Sequence, residues 1–320
     1  MNIKNKKYNL FLLLSFFLVV IYFSNYDQEK IPKAYITNQG DNTVSVINLN
    51  TLNVIKTLNV GTAPLGITIL NKYNLGFIGN VGTDDISVID TSQDKVIKTI
   101  KLGTAPLSMV SRPNESEIFI TDWFKNRVLI VSVNEMKVIN YFEVGKTPSG
   151  IAFNEKYNYI IVSNRDENTI EVFDANNYLL VKRLKTGRHP FGVYTKGNFI
   201  YTANVYDDTI NKINIKNWTS KTIQVGLHPY NVLTNKNLAF VTNTVGDNLS
   251  IIDLKKNKEI KKINTGETPE NLDIHKKLGL ILITNWGSDS VSVYDLKNFK
   301  LLKEIKTGLQ SRSFGNFILH

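Results

Sequence analysis

Three features of the 320-residue sequence predict an all-β fold, a seven-bladed β-propeller with four-stranded blades. A short apolar segment ending in Asn or Asp recurs seven times. A Gly-x-x-Pro turn recurs in step with it. Between these two marks lie short alternating segments rich in β-branched residues, with no helical period.

The first mark reads "YITN" at Asn38, "FIGN" at Asn80, "FITD" at Asp122, "IVSN" at Asn164, "YTAN" at Asn204, "FVTN" at Asn243 and "LITN" at Asn285, spaced 42, 42, 42, 40, 39 and 42 residues apart. A second Asx follows four residues later in every repeat, at Asn42, Asp84, Asn126, Asn168, Asp208, Asp247 and Asp289. Such side chains bond loop backbone that a strand ladder leaves unpaired. The Gly stands at 61, 103, 145, 187, 226, 266 and 308, and six of the seven have Pro three residues on, Ser311 taking the last slot. Gly permits a positive φ and Pro pre-sets φ, so the turn is expected to redirect the chain sharply between strands. A phosphate-cradling glycine loop occurs once, between a strand and a helix. A turn used seven times is architectural.

A period near 42 suits paired-helix repeats or four-stranded blades. The segments "NTVSVINL", "DDISVIDT" and "DSVSVYDL" decide for strands, four to a repeat. The first repeat opens on its second strand, Ala34–Asn38, and the last ends on a first-type strand within "LQSRSFGNFIL". Pairing these N- and C-terminal strands completes the ring and removes open sheet edges.

Residues 1–26 read as a signal peptide or membrane anchor. "MNIKNKK" carries Lys4, Lys6 and Lys7, and "YNLFLLLSFFLVVIYF" adds 16 uncharged residues. Tyr22 denies a small-x-small cleavage site before Ser24. The segment is expected to stay attached as a signal-anchor with its Lys cluster inside. Residues 27–33 are then a short linker and 34–320 an extracytoplasmic propeller, in the periplasm or at the cell surface, held to the cytoplasmic membrane. With no cysteine, the chain has no disulfide framework, thiolate metal site or thiol nucleophile. The net charge of +10 comes from scattered lysines, 32 against six arginines, which fits composition and solubility better than a nucleic-acid patch.

These repeats resemble the YVTN-repeat β-propellers of the YncE-like and surface-layer type, from Ala34 to the C-terminus. The resemblance implies a binding or accessory protein. Relatives that bind nucleic acid, or sit beside periplasmic redox enzymes, share the same blades. It also implies that the innermost strand follows Gly-x-x-Pro and that this turn shares a face with the Asx-bracketed loop.

Departures from the repeat on that face mark the candidate site. Between the two Asx stand Trp123, Arg165 and Trp286. Between Gly and Pro stand Arg188, His189 and His228. Just after Pro stand Phe191, Tyr230, Glu270 and Arg312. Aromatic faces and planar guanidinium groups suit an anionic or aromatic small ligand, or a protein partner, at the channel mouth. Arg188 and Arg312 are both expected to be removable without loss of fold. Single-stranded nucleic acid fits the same chemistry, but an extracytoplasmic address argues against it. His189 and His228 sit in equivalent slots of adjacent repeats, too far apart for one metal. No catalytic residue, metal or cofactor is assigned, since nucleophile elbow and HExxH are both missing. The function expected is a non-catalytic ligand-binding or protein-interaction scaffold. The alternative is an enzyme or cofactor-handling accessory of a periplasmic redox system.

Overall fold

Seven antiparallel four-stranded sheets make up the computed structural model, which describes residues 31–320. The signal-anchor at 1–26 and linker residues 27–30 lie outside the described residues. Strands β1 to β28 follow in chain order. The first blade holds β1 (Lys33–Asn38), β2 (Thr43–Asn48) and β3 (Asn53–Asn59). The next six are β4–β7 (Pro64–Lys101), β8–β11 (Pro106–Glu143), β12–β15 (Pro148–Lys185), β16–β19 (Pro190–Gln224), β20–β23 (Pro229–Asn264) and β24–β27 (Pro269–Lys306). In these six the innermost strand begins at the Pro of Gly-x-x-Pro.

Inner strands are buried on both faces, because each blade is sandwiched between two others. The strand β4 (Pro64–Leu70) is buried at all seven positions. The outermost strand β3 buries one residue, Leu58, and β7 (Lys95–Lys101) likewise buries Ile100. The hydrophobic core is therefore a set of clusters between neighbouring blades, such as Phe119, Ile130, Phe142, Ile160 and Phe173 between the third and fourth.

The Gly-x-x-Pro turn works differently from the sequence expectation. Its positive φ falls on the residue before Pro: Ala63 at 51°, Thr147 at 55°, His189 at 53°, His228 at 52°, Thr268 at 52° and Gln310 at 59°. The second Asx of the preceding loop holds this strained residue. Its Oδ1 accepts the N–H of Ala63 from Asn42 (2.8 Å), of His189 from Asn168 (2.9 Å), of His228 from Asp208 (2.8 Å) and of Gln310 from Asp289 (2.7 Å). Gly is required for space. A Cβ on Gly61, Gly145, Gly226, Gly266 or Gly308 would stand 2.5–2.7 Å from the amide nitrogen of the first Asn of a repeat. The third repeat departs in concert: Asp122 replaces that Asn, and Gly103 takes φ 65° with nothing within 4 Å of a Cβ.

Blades are clasped to one another by the residue before that Asn. The Thr37, Thr121, Ser163, Thr242 and Thr284 hydroxyls donate to the carbonyls of Leu65 (3.2 Å), Ser149 (2.9 Å), Phe191 (2.5 Å), Glu270 (3.0 Å) and Arg312 (2.5 Å), each on the next blade. Gly79 and Ala203 fill the slot in the other two repeats and have no hydroxyl to give.

The termini close the ring as expected. The strand β28 (Ile318–Leu319) pairs antiparallel with β1, giving the order β28-β1-β2-β3. The closing strand is shorter than the sequence implies. Ser313 at φ 73° and Gly315 at φ 129° break it, and Phe314 bridges in parallel to Gly66 on β4 instead. Asp273, on β24 (Pro269–His275), latches the end: its Oδ2 accepts the N–H of Phe317 (3.1 Å) and of Ile318 (3.2 Å). Burial pushes this carboxyl up from 3.8 to about 6, against the pull of its backbone hydrogen bonds. The folded state then holds the proton more tightly than the unfolded chain. This contribution to stability is fully present below pH 3.8 and is lost as pH rises through about 6. Thermal melts of the native protein and of Asp273→Asn between pH 4 and 7 are expected to differ in slope. The variant should lack the decline that the native carboxyl produces on the way to neutrality. Parallel slopes would remove Asp273 from the account.

Candidate functional site

The seven residues that follow Pro, or Ser311 in the last slot, form a ring at the inner end of the Gly-x-x-Pro face. They are Leu65, Leu107, Ser149, Phe191, Tyr230, Glu270 and Arg312. Four of them pack with Phe314 and Trp123 as an aromatic and aliphatic stopper: Leu65, Leu107 and Phe191 are buried, and Tyr230 and Trp123 pack against them. Phe191 stacks on Tyr230 at 4.0 Å, and Phe314 stands 5.3 Å from Phe191 and 5.5 Å from Tyr230. A small apolar mouth of ≈ 230 Å³ remains above them, walled by Trp123, Phe124, Leu107 and Arg312.

Glu270 and Arg312 meet at the rim of this stopper. The guanidinium donates Nε to Oε2 (2.5 Å) and Nη2 to Oε1 (2.7 Å), and Nη1 to Gln39 Oε1 (2.9 Å). Its plane also lies over Phe314 at 5.5 Å. Burial pushes the Glu270 carboxyl up, opposed by Arg312. Burial also pulls Arg312 down, but Glu270 and Tyr230 more than offset this and hold it protonated. Arg312 is thus a largely buried structural cation, 17% exposed, whose charge the buried Glu270 has already met. The expectation that it can be removed at no cost to the fold is corrected on that ground.

A second group lies outward of the stopper. One 3-10 turn, Arg165–Glu167, lifts Arg165 over Trp123, with the guanidinium 5.2 Å from the ring centroid. Arg165 Nε donates to His189 Nδ1 at 3.1 Å, which leaves the imidazole proton on Nε2. His189 sits 4.2 Å from the Tyr206 ring, and Tyr206 sits 5.6 Å from His228. Trp123 in turn is 6.3 Å from Phe191 and joins this ledge to the stopper. Asp166 is the closest carboxylate to Arg165, at 4.0 Å, beyond hydrogen-bonding reach.

Eight of the ten candidate residues therefore form one connected group: Trp123, Arg165, His189, His228, Phe191, Tyr230, Glu270 and Arg312. Two stand apart. Arg188 turns outward to Asp207 at 2.5 Å and to the Tyr206 carbonyl at 2.6 Å. Trp286 lines a separate shallow hollow with Gly40 and Leu309. Three residues outside the candidate set belong with the group. Tyr206 and Phe124 were visible as large residues between the two Asx, and Phe124 is 73% exposed. Phe314 carried no repeat signal, because it lies where the closing strand breaks.

Phe191 and Phe314 also floor a larger cavity of ≈ 740 Å³ that opens on the opposite face, among Asn71, Glu115, Glu155 and Lys196. The stopper therefore divides the channel.

The chain has several relatives in fold. The YNCE-like beta-propeller family matches residues 29–317. No curated protein matches. Among solved structures, hydrazine synthase of Kuenenia stuttgartiensis superposes with a TM-score of 0.75 at 12% identity, covering 83% of this chain and 92% of that one. A dihydro-heme d1 dehydrogenase, NirN, in complex with DHE gives 0.69 at 12% identity, covering 91% and 75%. A functionally unknown protein from Desulfotomaculum acetoxidans gives 0.75 at 12% identity, covering 88% and 99%. These likenesses are of fold.

Removing Glu270 strands the Arg312 cation in the stopper. Glu270→Ala is expected to cost about 3–5 kcal/mol in urea unfolding, the penalty for breaking a buried pair. Arg188→Ala should stay within about 0.5 kcal/mol, as surface changes do. Equal losses would mean that the buried pair has no special weight.

Proposed function

The chain belongs to the YNCE-like beta-propeller family, and on that premise we propose that it is a non-catalytic binding scaffold, tethered outside the cytoplasm by residues 1–26. Its Gly-x-x-Pro face takes an anionic aromatic ligand, or a partner segment that carries an acidic group beside an aromatic one. One observation carries this reading. Of the three candidate arginines, Arg188 and Arg312 are hydrogen-bonded to carboxylates at 2.5 Å, while Arg165 has only a long ion-pair contact with Asp166, at 4.0 Å. Its Nη groups and His189 Nε2–H are donors at the edge of an aromatic ledge and call for an acceptor with negative charge. Trp123, Phe124 and Tyr206 offer area beside it for an aromatic ring.

The tether orients this face. β1 enters the ring at Lys33, at the end opposite the Gly-x-x-Pro turns. Residues 27–32 span at most about 20 Å of extended chain. The wide cavity then faces the membrane, and the ledge faces away from it toward a partner.

A second reading keeps the same ledge and makes the chain a cofactor-handling accessory of an extracytoplasmic redox system. It draws on His189 and His228 flanking Tyr206 beside a cation, a set that also suits a planar anionic cofactor. The absorption spectrum of the protein purified from its membrane separates the readings, since a bound chromophore favours the second.

Trp123 reports on the ledge directly. Titration with 1-naphthoate is expected to quench tryptophan fluorescence. Arg165→Ala should weaken that binding about tenfold, the loss of one charge-assisted contact, and Trp286→Phe should leave the affinity unchanged. Quenching that survives Arg165→Ala undiminished would move the site elsewhere.

A further inference from the structure

The wide cavity on the opposite face has chemistry of its own. The innermost strand of each blade has a backbone partner on one edge only, and its other edge faces the channel. On β4 this inner edge is already occupied. Ile67 N–H donates to the Phe314 carbonyl (2.9 Å), Ile69 N–H to that of Asn316 (3.0 Å), and Phe314 N–H to that of Leu65 (3.0 Å). The chain's own tail is thus added, in parallel, along the free edge of an inner strand. The two donors lie two residues apart, and so do the two carbonyls that they meet.

Register identifies the same amides on the other blades. Ile67 pairs with Ile78, two residues before Asn80, and Met109, Ile151 and Val193 hold the matching position against Ile120, Val162 and Thr202. Ser111, Phe153 and Thr195 correspond in the same way to Ile69. On β20 (Pro229–Asn235) and β24 the chain covers part of this edge with side chains. Asn231 Oδ1 accepts the Val232 N–H (2.8 Å), and Asp273 Oδ1 accepts that of Ile274 (2.8 Å). On β8 (Pro106–Ser111), β12 (Pro148–Asn154) and β16 (Pro190–Lys196) neither tail nor side chain does so. These three strands supply half of the residues that line the cavity.

We propose that this cavity is a second binding site, independent of the ledge, for an extended and uncharged polypeptide segment. The segment lies along the inner edge of β12 or β16 as residues 313–316 lie along β4. The recognition is strand addition: carbonyls two residues apart meet Ile151 and Phe153 N–H, or Val193 and Thr195 N–H, and the segment's own N–H groups meet the intervening strand carbonyls. A volume of ≈ 740 Å³ lies within the roughly 300–1,000 Å³ of ligand pockets. Glu115, Glu155, Lys156 and Lys196 at the rim carry two charges of each sign, so the opening selects for neither.

Hydrogen–deuterium exchange on the full-length protein tests this with the blocked peptide Ac-(Ala-Ser)₃-NH₂ at millimolar concentration. Exchange is expected to slow severalfold in the segment 148–154 or 190–196. An analogue N-methylated at every residue should give no slowing, and neither should maltotriose. Ser111→Trp, which narrows the opening, should abolish the effect, whereas Arg165→Ala on the other face should leave it intact. Unchanged exchange with the peptide, equal slowing by the N-methylated analogue or by maltotriose, or slowing that persists in Ser111→Trp would each overturn the proposal. The N-methyl comparison uses native protein, so it stands even where the Ser111 variant fails to fold.

Discussion

The contact on which the ring depends is that of a glycine with an asparagine amide. A Cβ at Gly61, Gly145, Gly226, Gly266 or Gly308 would overlap the amide of the Asn that ends a "YVTN"-like segment. That Asn is fully buried and donates to a side-chain oxygen five residues on and, except at Asn164, to another seven residues on, as Asn38 does to Thr43 and Ser45. The turn between blades must pass directly over it. The tight approach fixes where the innermost strand starts, and the hydroxyl one residue earlier then reaches across to clasp the next blade. The second Asx secures the residue before Pro in the left-handed region, which costs a non-glycine residue about 1 kcal/mol or more. Three side chains and one missing side chain, repeated around the axis, thereby set the blade-to-blade geometry.

Function is built on what this frame leaves free. The residue after Pro lies at the inner end of its blade, and its type varies from repeat to repeat. Leu65, Leu107, Phe191 and Tyr230 fill the axis, and Glu270 with Arg312 closes the remaining side as a buried pair. Such a pair adds little net stability over apolar packing, but losing one partner is costly. It ties the last blade to the closing segment, since Arg312 lies within the tail. The slot before Pro points outward instead, which is why His189 and His228 reach the ledge.

Fold and closure were legible because the constraints repeat seven times and each leaves a residue type behind. The role of Gly was misread because conformational freedom and lack of a Cβ leave the same letter, and only the Asn amide packed against it tells them apart. The site was partly legible. Departures from the repeat found Trp123, Arg165, His189 and Phe191 together. They could not say that Arg188 turns to Asp207 or that Arg312 is spent on Glu270, because pairing across repeats has no fixed spacing. Phe314 and the free inner edges of β8, β12 and β16 left no mark in the sequence. The first sits in an irregular tail, and the second are backbone groups that every sequence has.

The glycine–asparagine contact can be weighed by a double-mutant cycle in urea unfolding. Gly226 is not in the left-handed region, and a Cβ there would stand 2.5 Å from Asn243 Nδ2. Gly226→Ala is expected to cost roughly 2–3 kcal/mol, as overpacking does. In an Asn243→Ala background the same change should cost less, because the nearest obstruction is gone and only the end of the Asn248 side chain, with Oδ1 2.9 Å away, has to shift. Additive losses, with Gly226→Ala equally damaging whether or not Asn243 is present, would contradict the claim that this contact sets the turn.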